Sequence, residues 1–154
     1  MAKYVIDVQG FAIENSFIIK ELSIVSLNSQ NVFHFLAEPP FNKEILTNDE
    51  HEQVSWLQNH HHLIKWEDGV LEYFEIFENL REAIRDADVL YAKGREKATF
   101  IQKATGEFTI DLDQLDCPRA DCLPKPKSSQ TFWHALTTHI HHRIPTVNVH
   151  CIKP

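Results

Sequence analysis

The sequence predicts a mixed α/β fold in which a three-stranded antiparallel meander is joined by two later strands and flanked by helices. Three observations predict it. The segment ahead of Pro39-Pro40 holds three runs rich in Val, Ile and Phe, with turn residues between them. From Thr47 the apolar residues recur at the three- and four-residue spacing of helices. A short apolar run at 88–92 then ends at Lys93-Gly94 and opens into a further helix, as a buried strand followed by a crossover helix does. With 154 residues the chain can bury one sizeable core, so residues 1–154 are read as a single domain.

The strands are expected at 4–8, 16–27 and 31–36, with turns at Gly10, Asn15 and the polar residues 28–31. Pro39-Pro40 ends strand pairing because neither residue can donate to a ladder. A helix follows, capped by Thr47 or Asn48, with Asp49, Glu50 and Glu52 in its first turn and Val54, Leu57 and His61 on one face. A second helix is expected over 70–85, where Val70, Tyr73, Phe74, Phe77, Leu80 and Ile84 form an apolar stripe. After the strand at 88–92, a helix over 95–104 closes at Gly106 in the C′ role, and 108–112 reads as another strand. Pro118, Pro124 and Pro126 mark a loop; a last helix is expected over 131–142, with a short apolar tail at 147–152.

The 43% apolar and 24% charged fractions are ordinary for a water-exposed globular domain. No apolar run approaches the ~18 residues of a membrane span, so no membrane association is expected. The formal charge of −7 argues against non-specific nucleic-acid binding, which needs a cationic field, although it leaves room for a local basic patch. Protonating all ten histidines would reverse the sign of that charge, so the exclusion depends on pH. Three cysteines, an odd number, and no apolar leader behind Met1 favour a reducing compartment, cytoplasmic or nuclear, with thiols that are free or metal-bound.

Asp7 sits among apolar residues of the first strand, a costly place for a carboxylate unless it is paired, metal-bound or at the strand end. It reads either as a cap for a turn at Gly10 or as a metal-binding carboxylate. The order of elements, with residues 4–9 (Tyr-Val-Ile-Asp-Val-Gln), 89–97 (Val-Leu-Tyr-Ala-Lys-Gly-Arg-Glu-Lys) and His142-Arg143-Ile144 followed by Val147-Asn148, resembles the ribonuclease-H-like fold. The likeness is to its DEDD-type 3′–5′ exonucleases and their relative, the Maelstrom domain. That family carries Asp-x-Glu on the first strand, an Asp after the fourth, and a His and an Asp on the last helix. Asp7 and His142 match this set, Gln9 replaces the Glu, Gly94 and Glu96 lie near the second Asp, and Val147 or Asn148 replaces the last one. The resemblance implies an eroded nuclease site, since two-metal hydrolysis needs several carboxylates around its ions. The Maelstrom likeness further implies a Glu-Cys-His-Cys zinc site. Glu96 and His134 match its Glu and His, whereas Thr131 and Arg143 stand where thiolates are needed.

Independent of any resemblance, Cys117 and Cys122 are separated by four residues, and His150-Cys151 could complete four zinc ligands; buried or free thiols are the alternative. The histidines at 60–62, 134, 139, 141–142 and 150 read mostly as surface residues, with His139 and His142 sharing a helix face. Lys93, Arg95, Lys97 and Lys103 gather at the start of one helix, where an anion such as a nucleic-acid phosphate would be attracted, or where they balance acids such as Glu96. Lys125 and Lys127 could extend this cluster, and Trp56, Trp66 and Trp133 read as packing residues.

The leading expectation is therefore a pseudo-nuclease acting as a module that associates with single-stranded RNA or binds a protein partner. One alternative is an active exonuclease using Mg or Mn, with Asp7, Glu96 and Asp111 as ligands and His142 as general base. The other is a protein-binding adaptor that docks through exposed Phe and Trp side chains. The expected metals are Zn for the cysteine and Glu96/His134 sets and Mg or Mn for the carboxylates.

Overall fold

The computed structural model describes residues 1–119 and Cys122, apart from Asn15 and Gln30. Among them, five strands and three helices form an α/β fold: β1 (Lys3–Ile13), β2 (Ser16–Ser26), β3 (Val32–Leu36), α1 (Asn48–His60), α2 (Glu75–Ala83), β4 (Val89–Ala92), α3 (Arg95–Thr105) and β5 (Thr109–Asp111). The open mixed sheet has the order β3-β2-β1-β4-β5. β1, β2 and β3 pair antiparallel as the expected meander, while β4 joins β1 in parallel and β5 joins β4 in parallel. The helix and tail expected over 131–152 lie outside the described residues.

β1 is longer than expected because Gly10 closes no turn. Strand pairing shifts register between Gln9 and Gly10: Gln9 faces Glu21 and Gly10 faces Ile19, leaving Lys20 as the extra residue of a β-bulge. At Gly10 a Cβ would run into the Ile18 carbonyl, so the backbones approach as only glycine permits. The bulge changes which β2 residues face each side of the sheet. Tyr4, Ile6 and Val8 share one side with Leu22 and Ile24 before it and with Ile19 beyond it, packed against Ile76 and Leu80 of α2 and Ala98 and Ile101 of α3.

The opposite side carries two smaller apolar clusters. Phe11, Ile13 and Ile18 pack with Leu46, Val54 of α1 and Trp66. Val5 and Tyr91 pack with Leu112 and Cys117. α1 begins as its residues dictate: the Thr47 hydroxyl accepts from Glu50 N–H while the Glu50 carboxylate accepts from Thr47 N–H. Gly106 ends α3 in the left-handed conformation, as expected.

α2 is shorter than the apolar stripe suggests, because residues 69–71 are drawn to the edge of β3. Val70 and Leu71 N–H groups donate to the Leu36 carbonyl, and Glu38 N–H donates to Leu71. Gly69 lies so close to Ala37 that any Cβ there would collide with its backbone. Trp66 is buried as expected, whereas Trp56 is 57% exposed and stacks on His60 one turn further along α1. No helix among the described residues is long and apolar enough to cross a membrane.

Candidate functional site

Between the two smaller apolar clusters the same side of the sheet is polar. Register places Asp7 opposite Ser23 and Gln9 opposite Glu21 on β1 and β2, and Ser23 opposite His34 on β3. Strand partners share a face, so these side chains form one strip. Asp7, Glu21 and Ser23 are buried, and Gln9 and His34 are half-buried.

Each charged member of the strip has a partner. Lys97, in the first turn of α3, donates from Nζ to Asp7 Oδ1. It can reach because β4 stops at Ala92, leaving Asp7 without a β4 residue beside it. His34 Nε2 lies 2.7 Å from Glu21 Oε1. Burial pushes the Asp7 carboxyl above its ordinary range; the Lys97 ammonium opposes this, and the negative charge of Glu21 adds to it. Asp7 therefore lies in mid-strand as a buried, cation-paired carboxylate, not as a strand-end cap.

Asp111 is also buried, but it is committed to the backbone. Its Oδ1 accepts from Gly94 N–H and from Asp113 N–H, both at 2.9 Å. It faces Ala92, on the α3 side of the sheet, while Asp7 faces the other. Glu96 is exposed on α3. Among the described residues no three His, Cys, Asp or Glu side chains are grouped where they could hold a metal ion. The carboxylates Asp7, Glu96 and Asp111 are thus not brought together as one Mg or Mn ligand set, and Glu96, Cys117 and Cys122 are not brought together as a zinc set. Cys117 is buried and Cys122 exposed. His134, His142, His150 and Cys151, which would complete these sets, lie outside the described residues.

The basic cluster is largely answered from within. Lys93 Nζ reaches Asp113 at 2.6 Å and the Cys117 carbonyl at 2.8 Å, and Lys97 holds Asp7. The α3 N-terminus, where a phosphate would sit, receives the Asp111 carboxylate through Gly94 N–H. Arg95 is exposed. The histidine reading also changes at one position: His62 is buried, with Nε2 at 2.9 Å from the Gly10 carbonyl and Nδ1 accepting from Ile64 N–H at 3.1 Å.

Glu21, Ser23 and His34 escaped the sequence reading. Their signal was the polar alternation with Leu22 and Ile24 on β2, which marks one side of a strand as unlike an ordinary core face. No family model matches this sequence, and no curated protein matches it.

Proposed function

We propose that the chain is a ribonuclease-H-like pseudo-nuclease, a domain in which a lysine stands where a catalytic site would hold divalent metal, and that it serves as an interaction module. One observation carries the reading: the Lys97 ammonium is bonded to the Asp7 carboxylate, the one described position that matches the nuclease motif residue for residue. The Lys97 ammonium already compensates the Asp7 charge, and among the described residues no group of three His, Cys, Asp or Glu side chains is placed to hold an ion, which supports a site without a divalent metal. The sheet, an antiparallel meander of β1, β2 and β3 extended in parallel by β4 and β5, is the mixed arrangement expected from the ribonuclease-H-like resemblance and supports the fold reading.

Protein binding is favoured over RNA binding by the same charges. Lys93 and Lys97 are paired with Asp113 and Asp7, which leaves little cationic field for phosphates on a chain of formal charge −7. The exposed Trp56 is the kind of side chain that anchors protein interfaces. The test is incubation of the full chain with single-stranded RNA and DNA in Mg and Mn. No degradation is expected, and filter binding to RNA should be weak at physiological salt. Metal-dependent degradation that disappears in Asp7→Ala would overturn the pseudo-nuclease reading.

A further inference from the structure

The outer edge of the sheet at β3 carries backbone groups that the described fold does not use. Ala37 N–H donates to the Lys20 carbonyl and Ser26 N–H to the Asn31 carbonyl, which fixes the phase of the β2–β3 ladder. The backbones of 31, 33, 35 and 37 therefore point toward β2, and those of Val32, His34 and Leu36 point away. Leu36 is answered by Val70 and Leu71 N–H. Among the described residues no main-chain bond reaches the outward groups of Val32 or His34.

Natural edge strands are protected by charges, prolines or bulges, yet Val32-Phe33-His34-Phe35-Leu36 has none of these. Phe33 is 37% exposed, on the α2 side of the sheet, since it pairs with the core residue Ile24. Val70 and Phe74, which are also exposed, lie in the segment that runs from this edge into α2.

We propose that β3 is a homodimerisation edge, pairing antiparallel with β3 of a second copy about a two-fold axis at Phe33. The occupant follows from the symmetry of the free stretch. Outward backbone groups lie one residue to either side of Phe33, so Val32 of each copy exchanges N–H···O bonds with His34 of the other, four bonds in all. Phe33 sits at the non-hydrogen-bonded position on the axis, where side chains approach most closely, and its ring meets its own counterpart. No charged side chain faces itself across the axis. Residues 69–71, lying against Leu36 and Ala37, stop the second strand from sliding further along. The result is one continuous sheet in which the five described strands of each copy are joined edge to edge.

The test is sedimentation of the full chain across a hundredfold concentration range. The wild type should pass from monomer to dimer, and both Val32→Pro and Phe33→Lys should raise the dissociation midpoint at least tenfold. Val32→Pro removes an N–H that β2 does not use, so its circular dichroism and melting curve should match the wild type and separate lost association from lost folding. Under mild oxidation Phe33→Cys should give a 33–33 cross-link, identified by peptide mapping, and Phe35→Cys should not. A monomer at every concentration would overturn the proposal. So would a dimer unaffected by both substitutions, a cross-link only at other cysteines, or saturation of the edge by a strand from a different protein with no self-association.

Discussion

Asp7 carries a carboxylate that its surroundings disfavour even with Lys97 bonded to it, because burial raises its pKa more than the ammonium lowers it. A carboxyl whose folded pKa lies above its unfolded value binds its proton more tightly in the folded state. Its contribution to stability is then greatest at acid pH and is lost as pH rises through the folded pKa. At pH 7 the ionised Asp7 is therefore a net cost. Asp7→Asn keeps an oxygen for Lys97 and removes the charge, so it should stabilise the protein by about 1 kcal/mol in urea unfolding at pH 7. Lys97→Met should do the opposite, leaving a buried carboxylate without its cation. The expected loss is about 2 kcal/mol, less than for a fully buried pair because Lys97 is 32% exposed. Destabilisation by Asp7→Asn would show instead that the ion pair is a structural asset, and that this position keeps no trace of a site selected for anything but stability.

The β1–β2 hairpin shows where the sequence was legible at the level of elements and where it was not. Its apolar runs announced both strands, the expected cap at Thr47 or Asn48 announced the start of α1, and Gly106 announced the end of α3, because those signals are local. In the sequence Gly10 reads as a turn, since turn chemistry and bulge chemistry both ask for glycine. Only the partner strand reveals that the Ile18 carbonyl occupies the space of a Cβ. The polar strip was hidden for the same reason: Asp7 is visible in one segment, whereas Glu21, His34 and Lys97 join it through pairing and through the early end of β4. Likewise the stripe beginning at Val70 has helical spacing, yet contact with Leu36 draws its first residues to the sheet edge. Gly10→Ala tests the bulge. It should cost about 3 kcal/mol, the upper range for forced overpacking, because backbone stands in the way. Gly106→Ala, where space is open and only the left-handed conformation resists, should cost about 1 kcal/mol. Equal losses in thermal denaturation of the two variants would mean that β2 can yield at Gly10.

At the scale of the whole molecule, Lys20 ties the bulge to the segment that leads from α1 toward α2. As the extra residue of β2 it is fully buried, and its Nζ donates to the Trp66 carbonyl at 2.9 Å and to the Asp68 carbonyl. Burial lowers its pKa from 10.5 to about 8, against the partial support of Asp68, Glu67 and Glu38. In the unfolded chain the group keeps its ordinary value, so between pH 8 and 10.5 the unfolded state binds more protons than the folded one, and stability from this group rises with pH. The slope can reach about 1.4 kcal/mol per pH unit. Tyr4 acts in the other direction at higher pH, its hydroxyl held protonated chiefly by its hydrogen bond to Asp86, and Tyr73 does so through burial. Subtracting the unfolding free energy of Lys20→Met from that of the wild type at each pH cancels those groups. At pH 7 the variant should be less stable by about 2 kcal/mol, since a buried carbonyl and a part-buried one lose their donor. The difference should widen from pH 8 to 10 as the wild type gains and the variant does not. A difference that stays flat over that range would mean that Lys20 remains as easily protonated in the folded protein as in the unfolded chain, and that its carbonyl cage compensates fully for its removal from water.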